Sequence, residues 1–456
     1  MFDQAQQRVL YLQTQPLTFE QRISLAIIAS QRLVELKKPE LALLLLTDTA
    51  AQYCGIKDAS NLESNVLIDI SFQLEAIAKY FNDQPEYFIQ PVINKRMSNS
   101  LFNKLRLLKK INSSCQQANY SLRAAGAITR MFSLSLTACD HYYAAFACAH
   151  FAWVCSWFAA DIRIACACRH RALYLASQHS EPHLQQCKLI LATKLNHWLE
   201  PLNLTVKALQ LEAIFFNRLT PKMALERQVL IQQLLLCQGE PLKVIAYNCQ
   251  QLLENDTDMN DNSNISALRS MLKTSHYLLA APQSHHFEKA NYQHSIAAFS
   301  QLFTACYTFD QQHWGTMQSW AAQIETDISS HYVATEAVFI CTLMRITSLD
   351  NRSTNDLNKK RVDGDINRLK MWSDLRAQNY SAQYTLLKAL YCAKFNPIEQ
   401  AISYFEAAYL AVEKYGRLQH QILFYHYYAK LIGRHRPALS ALCLEKKRQK
   451  IDILHR

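Results

Sequence analysis

Glycine is scarce in this chain, with 7 residues in 456, where an average protein would carry about 7%. Proline is scarce as well, at 11. Tight turns, β-hairpins and phosphate loops consume glycine, because they require φ > 0 or close backbone approach. The shortage argues against dinucleotide-binding, P-loop, β-barrel and β-sandwich folds. No G-x-x-x-x-G-K-[ST] and no kinase-type glycine loop occurs in the sequence. Long uncharged runs are nearly missing too. The exception is Tyr142–Ala160 (YYAAFACAHFAWVCSWFAA), 19 residues without Asp, Glu, Lys or Arg. Its length approaches a membrane span. Yet it has no Leu or Ile, it contains His150 and Ser156, and Asp140, Asp161 and Arg163 stand against its ends. It reads as a buried central helix. The opening residues Met1–Pro16 are polar and do not resemble a secretory leader.

What is present points to packed helices. Half the residues are apolar, enough for a core and too many for general disorder. The net charge of +11 suits an acidic partner, but it is spread thinly. The basic clusters are Lys104–Lys110, Lys359–Arg361 and Glu445–Lys450. None interleaves with aromatics in a nucleic-acid pattern, so they read as solvated faces or a tail. The 14 cysteines fall mostly inside apolar runs, where Cys behaves as a small hydrophobe. A reducing cytoplasm is the expected compartment.

Helix follows helix along the chain. Thr18–Lys37 places Ile23, Ala26, Ile27, Leu33 and Leu36 at helical spacing. Pro39 then opens a second helix, which Gly55 closes as a C′ glycine. Leu62–Phe81 is the next. Pro182, Pro221, Pro241 and Pro397 open further helices, the first ending near Trp198 and others closed by Gly239 and Gly416. Asn255–Asn264 and Leu349–Asp365 are polar and read as loops. This spacing divides the chain into helical repeats over 1–254, 265–348 and 366–433, followed by a basic tail over 434–456. The pair Tyr384–Gly416 is the most informative. Its second helix carries Ala401, Phe405 and Ala408, the A-x₃-F-x₂-A spacing of a tetratricopeptide (TPR) repeat. Two small residues let helices approach, and one aromatic fills the gap between them. The expected fold is therefore all-α, a solenoid of degenerate TPR-like antiparallel helix hairpins.

Several ordered patches extend that likeness. His197-Trp198-x-x-Pro201-Leu202, Gln318–Ala321, Leu369–Trp372 and Ala401–Glu413 with Tyr415-Gly416 resemble the TPR-like region of large bacterial AAA/STAND signalling ATPases. The likeness spans roughly Leu41–Gly433. In those proteins the repeats follow an ATPase, sometimes preceded by a serine/threonine kinase, and lead into a sensor module with a histidine kinase or diguanylate cyclase. This chain has no residues that match their catalytic motifs, so no such activity carries over. The resemblance implies an adaptor, either stand-alone or part of a larger chain. Its partners would be proteins, namely a signalling ATPase, kinase or cyclase module.

The candidate chemistry is thin. Cys139, His141, Cys148, His150, Cys155, Cys166, Cys168 and His170 cluster within one stretch of apolar sequence. Cys and His are zinc's preferred ligands, and a Cys–His pair can make a nucleophile. However, the C-x₂-C or H-x₃-H pairs of zinc sites on turns are missing, and no Cys–His pair stands out. Core packing is the better reading. His285-His286 reads as a polar turn. Asp256, Asp258 and Asp261 lack the glycine and final Glu of a calcium loop. Phe424–Tyr428 reads as core. A partner groove would draw on Tyr391, Tyr404, Tyr425 or Arg417. No catalytic, cofactor-binding or metal-ligating residue is assigned, and no cofactor is expected. The expected function is a non-catalytic protein–protein interaction scaffold in bacterial signal transduction, not an enzyme. A Cys/His metal- or thiol-dependent enzyme and an RNA-binding α-solenoid are the alternatives. Membrane association is not expected.

Overall fold

The computed structural model describes residues 17–36, 38–54, 63–83, 98–117, 120–137, 141–159, 161–215, 220–255, 263–279, 299, 303–304, 306–307, 332–349 and 356–456. Among these, about 92% are helical and none forms a strand. The chain is all-α. It divides into two compact units, Met1–Leu191 and Ala192–Arg456.

In unit 1, α1 (Phe19–Glu35) and α2 (Pro39–Cys54) pack as a hairpin. Thr18 starts α1 with a capping box: its hydroxyl accepts from the Gln21 amide, and the Gln21 side chain accepts from the Thr18 amide. Next come α3 (Glu63–Asp83), α4 (Asn99–Gln117), α5 (Ser121–Thr137) and α6 (His141–Val154). α4 rests on α1, α2 and α5, and α6 packs on α5 and on α7 (Ile162–His179). Every residue of α6 from Tyr143 to Val154 is buried, as a helix apolar all round requires. Tyr143–Val154 of the long uncharged run is thus a buried helix, and a π-helical turn follows at Cys155–Ala159. Asp161 restarts the chain by capping α7, its Oδ1 accepting from the Arg163 and Ile164 amides. The boundary between the units falls in the last turn of α8 (Glu181–Lys194). No described helix is long and apolar enough to cross a membrane.

Unit 2 opens with the short α9 (Asn196–Leu199). A single helix from Pro182 to Trp198 is therefore not formed; the chain breaks at Leu195. α10 (Leu202–Phe215), α11 (Pro221–Gln238), α12 (Leu242–Asn255) and α13 (Ser263–Leu279) follow. Thr220 caps α11 and Gly239 ends it in the left-handed region, at φ 75°. The later part comprises α14 (Tyr332–Ser348), α15 (Asp356–Leu375), α16 (Ala377–Phe395), α17 (Ile398–Tyr415), α18 (Leu418–Ile432) and α19 (Pro437–His455). Two polar stretches of sequence end as helix. Residues 356–365 belong to α15, because Val362, Ile366 and Leu369 recur at helical spacing and are buried. The basic C-terminal stretch is α19, anchored by buried Cys443 and Leu454. Gly55, His285-His286, Asp256, Asp258, Asp261 and Gln318–Ala321 lie outside the described residues.

α14/α15, α16/α17 and α18/α19 are consecutive packed pairs, and α16 also touches α14 and α18. Ala401, Phe405 and Ala408 are all fully buried in α17. Phe405 stacks on Tyr428 of α18, with centroids 5.3 Å apart.

Candidate functional site

The Cys/His stretch was the sharpest chemical candidate, and its residues separate. Cys139 lies outside the described residues. His141 begins α6 half-buried, Cys166 is half-buried and His170 is exposed. Cys148, Cys155 and Cys168 are buried thiols. Burial pushes Cys148 up to about 12 and Cys155 and Cys168 well above the ordinary thiol value. Thiols so raised stay protonated at neutral pH, whereas nucleophiles and metal ligands act as thiolates. Among the described residues no three His, Cys, Asp or Glu side chains converge on a possible metal position.

Two clusters that no local pattern announces do form. The first is in unit 1. Lys109 of α4 donates to the Tyr142 hydroxyl of α6. His183 of α8 places Nε2 3.0 Å from the Tyr142 carbonyl oxygen and 3.9 Å from Cys187 Sγ. The His183 and Tyr142 rings lie 4.4 Å apart. Burial, with His179 and Lys109 nearby, lowers His183 to about 4. The folded protein therefore refuses a proton that the unfolded chain accepts from about pH 6.5 downward. Acidification from pH 6.5 to pH 4 should drain about 1–3 kcal/mol of stability through this group. A His183→Gln variant should show a flatter dependence of urea midpoint on pH across that window; an unchanged slope would refute the assignment.

The second cluster is in unit 2, where α14, α16 and α18 meet. Glu336 of α14 is fully buried. Its Oε2 accepts from Gln383 Nε2 at 2.5 Å, and its Oε1 faces His420 Nε2 at 3.1 Å. Arg417 Nη1 stands 3.6 Å from Oε2. The same guanidinium donates to the Cys237 carbonyl at 3.1 Å and to the Tyr332 hydroxyl, and lies 4.8 Å over the Tyr332 ring. Burial works against the Arg417 cation, and Tyr332 and Glu336 more than offset it, so its pKa is raised. Burial pushes the Tyr332 phenol up. Gln419 also donates to the Cys237 carbonyl. The end of α11 is thus held by two donors from the start of α18. Gly239 makes this approach possible, since a Cβ there would fall 2.1 Å from Gln419 Oε1. Gly239→Ala should cost about 2 kcal/mol, from left-handed strain and displacement of Gln419. Thermal unfolding checks this, and an unchanged Tm would contradict the packing described.

No family model, curated protein or solved structure matches this chain. The site is therefore read from its own geometry.

Near the Glu336 cluster, Asn379 of α16 clamps the link between α9 and α10. Its Nδ2 donates to the His197 carbonyl at 2.7 Å and to the Glu200 carbonyl at 3.0 Å, and its Oδ1 accepts from the Leu202 amide at 3.1 Å. Trp198 packs 5.3 Å from both Trp372 and Tyr380. Two of the sequence patches, 197–202 and 369–372, therefore meet in one core. Two side chains considered for a partner groove are already engaged. Arg417 is buried against Glu336 and Tyr332. Tyr425 is 2% exposed, and its hydroxyl donates to Glu413 at 2.6 Å. The Tyr391 ring lies tilted against Phe395, centroids 4.8 Å apart, and Tyr404 is half-buried. Large apolar side chains in solvent include Val244 and Tyr247 of α12 and Leu410 of α17, the last two 65% and 71% exposed.

Proposed function

We propose that this chain is a non-catalytic protein–protein interaction scaffold, an adaptor of TPR-like hairpins in a bacterial signalling system built on ATPase, kinase or cyclase modules. One observation carries the reading. Three consecutive helix pairs contact one another through their first helices, and Phe405 of α17 stacks on Tyr428 of α18. Stacked hairpins bury a continuous core and expose long faces on which partners dock. The thiols of the Cys/His stretch, held protonated by burial, favour packing over thiol or metal chemistry there. On this reading the protein acts in the cytoplasm. Tyr247 and Leu410 are exposed apolar side chains with no evident packing role, and they are the contact residues to test first.

The test begins with the DNA flanking the gene. A sensor kinase, ATPase or cyclase should be encoded beside or in continuity with it. That product should bind the purified chain in calorimetry. Leu410→Asp or Tyr247→Asp should weaken the binding tenfold or more, with the helical circular dichroism unchanged. A gene with no such neighbour, or a neighbour that does not bind, would overturn the proposal.

A further inference from the structure

Lys109 sits in surroundings that suit an ammonium group poorly. It projects half-buried from α4 toward α6. Its Nζ lies 4.2 Å from the centre of the Tyr142 ring and 4.6 Å from that of Phe146, and it donates to the Tyr142 hydroxyl. Among the described residues it has no carboxylate partner. Among the described residues, the neutral His183 and the protonated Cys187 stand near it, with His179 against the rings of Tyr142 and His183. Ring faces stabilise a cation by less than an ion pair does when water is displaced. Burial accordingly lowers Lys109 to about 8.

We propose that Lys109 is a nucleophilic amine site that condenses with a small apolar aldehyde, with the Tyr142 hydroxyl passing protons beside it. The free amine adds its nitrogen lone pair to the carbonyl carbon. Both amine protons then leave with the carbonyl oxygen as water, one of them relayed through Tyr142, and a C=N bond replaces C=O. No oxidant or reductant takes part. The class of substrate follows from the walls. A neutral imine removes the poorly paired charge, and the Tyr142 and Phe146 rings offer apolar contact to the aldehyde's chain. A carboxylate-bearing aldehyde would gain only the lysine's charge, which the reaction itself consumes.

The experiment uses the full chain with butyraldehyde at pH 7.5, cyanoborohydride to trap the imine, and peptide mass spectrometry to read each lysine. Lys109 should be alkylated at least about tenfold faster than the exposed Lys207 and Lys243. The advantage should vanish in urea. Tyr142→Phe should slow Lys109 about tenfold and leave Lys207 and Lys243 unaltered, and Lys109→Arg should remove the labelled peptide. Alkylation no faster than at Lys207 and Lys243, an advantage that persists in urea, or a Tyr142→Phe variant labelled at the original rate would each overturn the proposal.

Discussion

Glu336→Ala should destabilise unit 2 by about 4 kcal/mol, because it leaves the buried Arg417 cation without its carboxylate. Three facts set the size. Glu336 is fully buried. Gln383, His420 and Arg417 all address its two oxygens. What would remain around Arg417 is a phenol hydroxyl and a backbone carbonyl, neither of which carries charge. Gln383 would also lose the acceptor of its Nε2. Glu336→Gln keeps the shape and removes the charge, so it should cost roughly half as much. The double variant Glu336→Leu with Arg417→Met separates pairing from mere occupancy. Replacing both members of a buried ion pair by apolar groups is often neutral, so the double variant should be more stable than Glu336→Ala alone. Urea midpoints together with amide exchange in α14, α16 and α18 provide the readout. A single-variant loss below about 1 kcal/mol would mean that the carboxylate is not the partner described.

The same cluster shows what a linear reading reaches and where it stops. Helix ends were legible because their chemistry is local. Pro39 and Pro221 at helix starts and Gly239 at a helix end each act within one turn. The burial of Tyr143–Ser156 was legible from composition, and the spacing of Ala401, Phe405 and Ala408 picks out three side chains that are buried in α17. The Glu336 cluster was not, because its members are far apart in sequence: Gln383 lies 47 residues away and His420 lies 84. In sequence, Glu336 is one acid in an apolar helix, and nothing nearby marks its partners. Lys109 is hidden for the same reason: in sequence it is one cation of the basic run Lys104–Lys110, whereas its Nζ lies over the Tyr142 and Phe146 rings. Residues 356–365 mislead in the opposite direction. They are polar enough to read as loop, but Val362, Ile366 and Leu369 provide a narrow apolar stripe that tertiary packing turns into a helix.

Asn379→Leu should be as damaging as losing Glu336, at about 4 kcal/mol, though its side chain carries no charge. The amide satisfies three backbone groups at once, the His197 and Glu200 carbonyls and the Leu202 amide. Two of these bonds lie in the buried interior. Leucine has similar volume, so packing survives while three polar atoms lose their partner, at roughly 1–3 kcal/mol each when buried. Asn379→Asp divides the cost. It can still accept from the Leu202 amide, but it sets a carboxylate against two carbonyl oxygens and should be no better than leucine. Asn379→Ser, which can answer one of the three groups and admit a water, should fall between leucine and the native residue. The local readout is the environment of Trp198, which is wedged against Trp372 and Tyr380. Releasing the 197–202 link should expose this indole, shifting its fluorescence to the red before the global urea transition. Native fluorescence and a native urea midpoint in Asn379→Leu would show that the link is held by Trp198 packing alone. The ordering of these variants, native above Ser and Ser above Leu and Asp, is what distinguishes a three-point hydrogen-bond clamp from a residue that only fills space.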